Sequence, residues 1–326
     1  MRLFNLFRLC FILLLCSSSQ VFAQAAQTAQ IPIRFVVTFP PGGAADQVAR
    51  IIAQETSVIL NTPILVENKA GASGMIGADF VARAKPDGKT FLIGGNGPTV
   101  LNQALFSKMP YDPEKSFTPV VGLAKSPLLM FVRKDLGVTN LKDFLELARK
   151  KQPPLSMASA GIGNITHITG EYAAALMGFK INHIPFSGSA PAVTAVMGNN
   201  VDLMFDPLPS SMQQARNGLM IPLALMDDQR FPPLAQVPTL KESNFANMEI
   251  SAWFILLAPA QTPRNIVLEM NKAVNLALTR PELIARIQGI GEQPLGNMSP
   301  EQAGEFISAE RQLWVPLIRQ LGIKAE

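Results

Sequence analysis

The chain has 326 residues, of which 48% are hydrophobic, and its 28 Lys and Arg against 24 Asp and Glu leave a formal charge of +4. So mild a balance, with no basic run and no interleaving of aromatic and basic residues, argues against nucleic acid as a partner. The only two cysteines, Cys10 and Cys16, fall in the first stretch of the chain, so thiol and disulfide chemistry are excluded from everything that follows it.

That first stretch carries Arg2 and Arg8, an apolar run over 9–16 and the small-residue pattern Val21-Phe22-Ala23. It reads as an export signal cleaved after Ala23, leaving 303 residues with a formal charge of +2. A lipoprotein reading would use Cys16, but Leu15 stands before it where a small residue is wanted. The run is too short to span a membrane, and no later stretch qualifies. About 300 residues suit two domains with a large core.

A strand is expected over 33–39 and a helix to about 60, with Val48, Ile51, Ile52, Val58 and Ile59 at helical spacing. Between them lies Phe39-Pro40-Pro41-Gly42-Gly43-Ala44-Ala45-Asp46. Its prolines stiffen the approach, its glycines let backbone N–H groups come close to a ligand, and the helix N-terminus behind it suits an anion. No Gly-Lys-Ser/Thr or Gly-x-Gly-x-x-Gly is present, which excludes nucleotide phosphate loops and dinucleotide turns. Strand 64–67, helix 74–85 and strand 90–94 follow, then extended pieces over 120–124 and 128–132. Asn140 caps a helix over 141–150. Strands over 155–159, 181–186 and 201–205 alternate with helices over 164–177, 190–197 and 211–217. Strand 221–225 and an extended piece over 249–257 precede three helices. Pro263 takes the first helical position of the first, Pro281 starts the second, and the capping-box spacing Ser299-Pro300-Glu301-Gln302 opens the last. Repeated βα units predict an α/β fold of doubly wound, mostly parallel sheets. With no low-complexity linker, crossing strands rather than a floppy tether are expected to join the domains.

Ligands of open α/β sheets bind beyond the carboxyl ends of the strands. Five loops fall there: 39–46; the segment from Gly95 and Asn96 to Thr99; Ser159, Ala160 and Gly161 with Gly163, Asn164, Thr166 and His167; Phe186, Ser187, Gly188, Ser189 and Ala190; and Phe205-Asp206-Pro207. They are rich in Gly, Ser, Asn and Thr and nearly free of Lys and Arg. Such loops suit capture of a small polar anion by backbone N–H and hydroxyl donors. Asp46 either accepts from a ligand or only starts its helix. Asp206 either lines the cleft or forms the turn before Pro207. His167 and His183 are more often structural than catalytic in such settings. No metal-ligand spacing occurs. Ser159 and Ser187 lack the Gly-x-Ser-x-Gly setting of an esterase nucleophile. Trp253, Trp314, Met197, Met204 and Met226 read as core. An α/β enzyme using Asp46 or His167 as general base is the weaker alternative, because no positioned acid/base pair or cofactor loop appears.

The chain resembles the Bug receptors, the exported solute receptors of tripartite tricarboxylate transporters. The matching pieces run in order: Pro32-Ile33-Arg34 into Phe39-Pro40-Pro41-Gly42-Gly43 and Asp46; Val66-Glu67-Asn68-Lys69-Ala70-Gly71-Ala72-Ser73-Gly74 and Ile76-Gly77-Ala78; Pro86-Asp87-Gly88-Lys89-Thr90; Leu105 and Pro110-Tyr111-Asp112-Pro113; Ser159-Ala160-Gly161 with His167; His183-Ile184-Pro185-Phe186 with Gly188-Ser189-Ala190-Pro191-Ala192; Val201 to Asp206; Val237-Pro238-Thr239; Ala258-Pro259-Ala260; and Leu321-Gly322-Ile323-Lys324. The resemblance implies a periplasmic two-domain clamshell with the ligand cleft between its lobes, one lobe being 24–127 plus 250–326 and the other 128–249. It implies a non-enzymatic, cofactor-free, monomeric receptor for a small carboxylate: a di- or tricarboxylate, an amino acid or an aromatic acid. Membrane transporter subunits are the implied partner, and a membrane sensor is the alternative. Carried over, the ligand positions are Phe39, Gly42, Gly43, Asp46, Ser159, Gly163, Thr166, Ser187, Ser189 and Asp206. Two departures stand out. The family frequently has Tyr-Lys where this chain has Phe186-Ser187, and often Gly-Thr where it has Gly163-Asn164. A cleft with one cation fewer argues against a heavily charged tricarboxylate.

Overall fold

The computed structural model describes residues 31–245 and 250–325. The expected signal over 1–23 and the expected strand start at Glu249 lie outside the described residues. Three parallel strands, β1 (Ile33–Val37), β2 (Ile64–Asn68) and β3 (Thr90–Gly95), lie side by side in the order β2-β1-β3. Side chains alternate across a strand, so β1 serves two cores. Phe35 and Val37 pack with Val48 and Ile52 of helix α1 (Ala44–Leu60). Val36 packs with Met75, Ala78 and Val81 of helix α2 (Met75–Ala82). After β3 the expected open loop is instead a π-helical turn, Gly97–Leu101, running into the short helix α3 (Asn102–Leu105).

The two extended pieces expected in the middle are one strand, β4 (Phe117–Arg133). Its residues from Phe117 to Pro127 pair antiparallel with β9 (Ser251–Pro259), beside β3. Its residues from Leu128 to Arg133 pair with β7 (Leu203–Pro207) and β8 (Met220–Leu225) in the second sheet, where β7, β5 (Leu155–Ser159) and β6 (Ile181–Pro185) complete the order. A two-residue strand, β10 (Gln293–Pro294), also joins β4. The flanks are therefore parallel, as the βα pattern predicts, and the centre is antiparallel. The reason is directional: β4 carries the chain from the first sheet into the second, and β9 carries it back.

Helices α4 (Leu141–Lys150), α5 (Ile165–Met177), α6 (Ser189–Met197), α7 (Leu208–Arg216), α8 (Arg264–Leu278), α9 (Pro281–Gly289) and α10 (Pro300–Leu321) cover the sheets. Asn140 caps α4 by accepting from the Asp143 N–H at 2.9 Å. The reciprocal Ser299–Gln302 box opens α10; each such cap contributes ~1 kcal/mol. Pro263 is the N-cap of α8, one position earlier than expected. The buried Trp253 of β9 and Trp314 of α10 both donate their indole N–H to Glu310 Oε2, at 2.6 and 3.1 Å. Core packing is thus the role of both, with a shared polar tie. Burial raises the Glu310 pKa despite those two donors.

Candidate ligand cleft

A cleft of about 610 Å³ opens at the carboxyl ends of the parallel strands. One wall comes from the first sheet: Thr38, Phe39 and Pro40 after β1, the run from Ala70 to Gly74 after β2, and Gly97, Asn102 and Phe106 after β3. The other comes from the second sheet: Ala160 to Asn164 after β5, and Pro185, Phe186 and Ser187 at the end of β6. Ala325 completes the lining. Among the described residues, no charged side chain lines this cleft. Thr38 Oγ1 and Asn102 Oδ1 are buried and have no hydrogen-bond partner among the described residues. An unmet buried polar atom costs ~1–3 kcal/mol, so a bound group that accepted from the Thr38 hydroxyl, or that donated to the Asn102 amide oxygen, would be favoured there.

The turn after β1 is pinned from behind. Gly42 takes φ +84°, a left-handed conformation open to glycine, and its N–H donates to Asp46 Oδ2 at 2.9 Å. Arg50 reaches the same carboxylate through Nε to Oδ2 at 3.0 Å and Nη2 to Oδ1 at 2.9 Å. It also donates to Asn68 Oδ1, while Asn68 Nδ2 donates to the Phe39 carbonyl at 3.1 Å. Asp46 is itself buried. Burial acts to raise its pKa, but the hydrogen bonds from Arg50 and the Gly42 amide outweigh it and hold the carboxyl below its ordinary value. The Asp46 carboxylate is therefore occupied in shaping the turn. Gly42 and Gly43 lie in that turn, just beyond the lining residues, and Gly43 is the N-cap of α1 with no side chain to satisfy the first amides.

The loop after β5 is held by hydroxyls, a side-chain amide and two imidazoles. His167 and His183 stack, ring centroids 3.7 Å apart and planes at 13°. Ser159 Oγ lies 2.6 Å from His183 Nε2 and accepts from the Gly161 N–H at 3.2 Å. The Gly163 N–H donates to His167 Nδ1 at 3.1 Å, leaving His167 Nε2 toward Glu171 Oε1 at 3.6 Å. The Ala160 N–H donates to Thr166 Oγ1 at 2.8 Å, and Asn164 caps α5 by accepting from the Thr166 N–H. Burial first, then the neighbouring His167, pushes His183 down to about 4, against the pull of Glu171. Ser159, Thr166 and His167 are buried behind the lining residues Ala160, Gly161, Gly163 and Asn164. Their hydrogen bonds set the path of the loop.

Gly188, Ser189 and Ala190 start α6 a step past the lining residue Ser187. Ser189 and Ser210 donate their hydroxyls to Asp206, which is fully buried. Burial pushes Asp206 up to about 7 against the pull of the two hydroxyls. Asn96 stands at the end of β3 but faces β9. Its Nδ2 donates to the Ser251 carbonyl and its Oδ1 accepts from the Trp253 N–H, both at 3.2 Å. Sequence reasoning placed Gly97 and Ile162 within strand-end loops, but it singled out neither the loop from Ala70 to Gly74 as a cleft wall nor Thr38, Asn102, Phe106, Pro185 and Ala325. The Gly71-Ala72-Ser73-Gly74 run follows a strand and has the same small-residue composition as the other loops, so the strand-end rule that found those applies to it as well.

An α/β fold with an uncharged cleft lined by strand-end loops of two sheets, crossed by two antiparallel strands, defines a two-domain clamshell receptor. Residues 48–323 match the family model described as "Tripartite tricarboxylate transporter family receptor", and the chain belongs to that family. Protein BugT of Bordetella pertussis is 30% identical over 90% of this chain and 90% of its own. A protein of R. palustris solved with adipate is 33% identical, superposes with a TM-score of 0.85, and the match covers 91% of this chain and 98% of that one. MatC from Rhodopseudomonas palustris, solved with bound malate, is 31% identical with a TM-score of 0.80 over 88% of this chain and 98% of its own. The Bug-type resemblance read from the sequence is thus met, and this is a receptor rather than an enzyme.

Proposed function

We propose that the protein is a periplasmic receptor that captures one small carboxylate by closing two lobes, 24–127 plus 250–326 and 128–249, and delivers it to membrane transporter subunits. Closure bends the crossing strands β4 and β9, and ligand favours the closed form because it touches both walls. The observation that carries the reading is the uncharged cleft, with the buried unpaired Thr38 hydroxyl beside it, in a chain of this family. Three phenylalanines, Phe39, Phe106 and Phe186, line it together with Ile162, and no lysine or arginine does so among the described residues. That lining suits an acid with few charges and an apolar body, held by backbone amides and hydroxyls. The adipate and malate bound by the two relatives support the carboxylate class.

A thermal-shift panel of small acids on the purified protein, with product analysis, tests this. We expect stabilisation by an acid of adipate type, greater than by citrate, and no consumption of the acid. A ligand at 100 times its Kd stabilises the native state by ~2.7 kcal/mol. Turnover at catalytic rates, or a response to no carboxylate, would overturn it.

A further inference from the structure

A second concavity lies at the other end of β1. It measures about 540 Å³ and is lined by Arg34, Ile76, Phe80, Arg83, Lys85 and Lys89, together with Asp79, Asp87 and Thr90. Its origin is the shortness of α2. Arg34 shares a face of the sheet with Val36 and pairs in register with Leu65 of β2 and Thr90 of β3. The buried side chains of α2 cover Val36 and Leu92, but the helix ends at Ala82 and leaves the Arg34 row open. Ile76 and Leu65 are accordingly 54% and 53% exposed.

The charges around this groove are unbalanced. Arg34, Arg83, Lys85 and Lys89 line it against two carboxylates, Asp79 and Asp87, and beside it Glu67 lies 3.9 Å from Arg34 and pairs with Lys69. Each acid already has a partner. Asp79 pairs with Arg83 at 2.8 Å, Glu67 with Lys69 at 2.7 Å, and Asp87 Oδ1 accepts from the Lys89 N–H. Lys85 and Lys89 make no ion pair among the described residues. Phe80 anchors two of the cations: Lys69 Nζ lies 4.2 Å and Arg34 Cζ 5.5 Å from its ring centroid, geometry that attracts positive charge to the ring face. Apolar side chains, Ile76, Phe80 and Ala84, line the groove among these cations. A protein segment with several carboxylates and an apolar side chain fits that pattern better than a single small anion does.

The groove is also wired to the cleft. Thr38 follows Arg34 by four positions, about 13 Å of strand, and α2 runs between the two ends. Gly71 lines the cleft and Ile76 lines the groove; a Cβ added to Gly71 would sit 2.6 Å from Ile76 Cδ1. A ligand that shifts the loop from Ala70 to Gly74 therefore presses on the side chain that a docked partner would touch.

We infer that this groove is a docking surface for an acidic, partly apolar segment of a protein partner. The inference rests on the receptor reading for its purpose, though not for the binding itself. The test uses the full mature protein and a short fluorescein-labelled peptide alternating glutamate with leucine, measured by anisotropy beside its lysine-for-glutamate counterpart. We expect only the acidic peptide to bind, with its Kd weakened about tenfold in the double variant Lys85→Glu, Lys89→Glu, since charge reversal at a rim acts on complementarity. Ile76→Ser, which leaves every charge in place, tests the apolar lining and is expected to weaken binding as well. Unchanged peptide affinity in both variants overturns the inference. So does equal, lysine-dependent binding to phosphatidylglycerol vesicles, which would make the groove a membrane contact. Adipate-induced thermal shifts on the same variants separate the two readings: a shift retained while peptide binding is lost supports the groove, and peptide binding without any carboxylate shift counts against the receptor reading alone.

Discussion

The two walls of the cleft do the same job with opposite chemistry. On the β1 side, the turn is held by full charges: Asp46 and Arg50, with the Gly42 amide on the same carboxylate. On the side of the second sheet, the loops are held by groups whose charged forms burial disfavours: His183, pushed down to about 4, and Asp206, pushed up to about 7. The difference follows from solvent. Arg50 keeps a side-chain exposure of 53%, so the first pair never has to shed all its water. Asp206 is fully buried with only two hydroxyls for company, so its charge is expensive. A wall built on ions keeps its form across neutral and mildly acidic pH, whereas a wall built on groups so shifted has a window in which it can change.

The largest effect should come from Asp206. Its carboxyl has a raised pKa in the folded protein, so its contribution to stability is full below pH 3.8 and is lost as pH rises to about 7. That shift corresponds to at most ~4 kcal/mol. Asp206→Asn should therefore flatten the decline of stability over this range in urea unfolding; parallel profiles for wild type and variant would remove Asp206 from the account. Asp46→Ala should cost ~2 kcal/mol. Its depressed pKa means that the stability it supplies is present above 3.8 and disappears only as pH falls through the lower folded value. The loss on mutation should thus be the same at pH 5 and pH 8, and a loss that varies between them would break the contrast between the walls. His183→Gln should act with the opposite slope from Asp206. The histidine's contribution is full above 6.5 and fades as pH falls to about 4; since the ring is only half-buried, we expect ~1 kcal/mol, and imidazole NMR titration measures the shift directly. Smallest, Ser187→Lys puts a cation on a lining position and should move relative affinity toward more highly charged acids about fivefold. An unaltered ligand profile would place Ser187 outside the site.

Much of this was legible in the sequence because it is local. The βα alternation and the caps at Asn140 and Ser299 are patterns of neighbouring residues, and they appear as read. Strand-end logic led to the loops around Phe39, Gly161 and Phe186 because a parallel sheet brings all its carboxyl ends to one edge. The continuity of β4 was not legible, since Pro119, Gly122 and Pro127 look like breaks. The strand accommodates them by irregular register between Pro119 and Val121 and between Gly122 and Ala124. Asn96 sits at the right strand end, yet its amide is consumed by β9, a partner more than 150 residues away. Phe106 and Ala325 reach the cleft only through tertiary folding, where the Ala325 N–H donates to the Leu105 carbonyl at 3.1 Å, and no local pattern announces that.

The long strand β4 has one further consequence. After the irregularities near Val120 and Leu123, the alternation of β4 runs unbroken from Ser126 into its pairing with β7, so the register at that point fixes which core the second sheet receives. Gaining or losing one residue near Ser126 would invert every following side chain of the strand, sending Leu128, Met130 and Val132 from the core they share with Phe205 and Leu223 to the opposite side. Length in this strand is therefore held far more tightly than composition. It tolerates two prolines and two irregularities on the side of the first sheet, but an insertion between Ser126 and Leu128 would have to be absorbed by a further bulge to keep those side chains in the core.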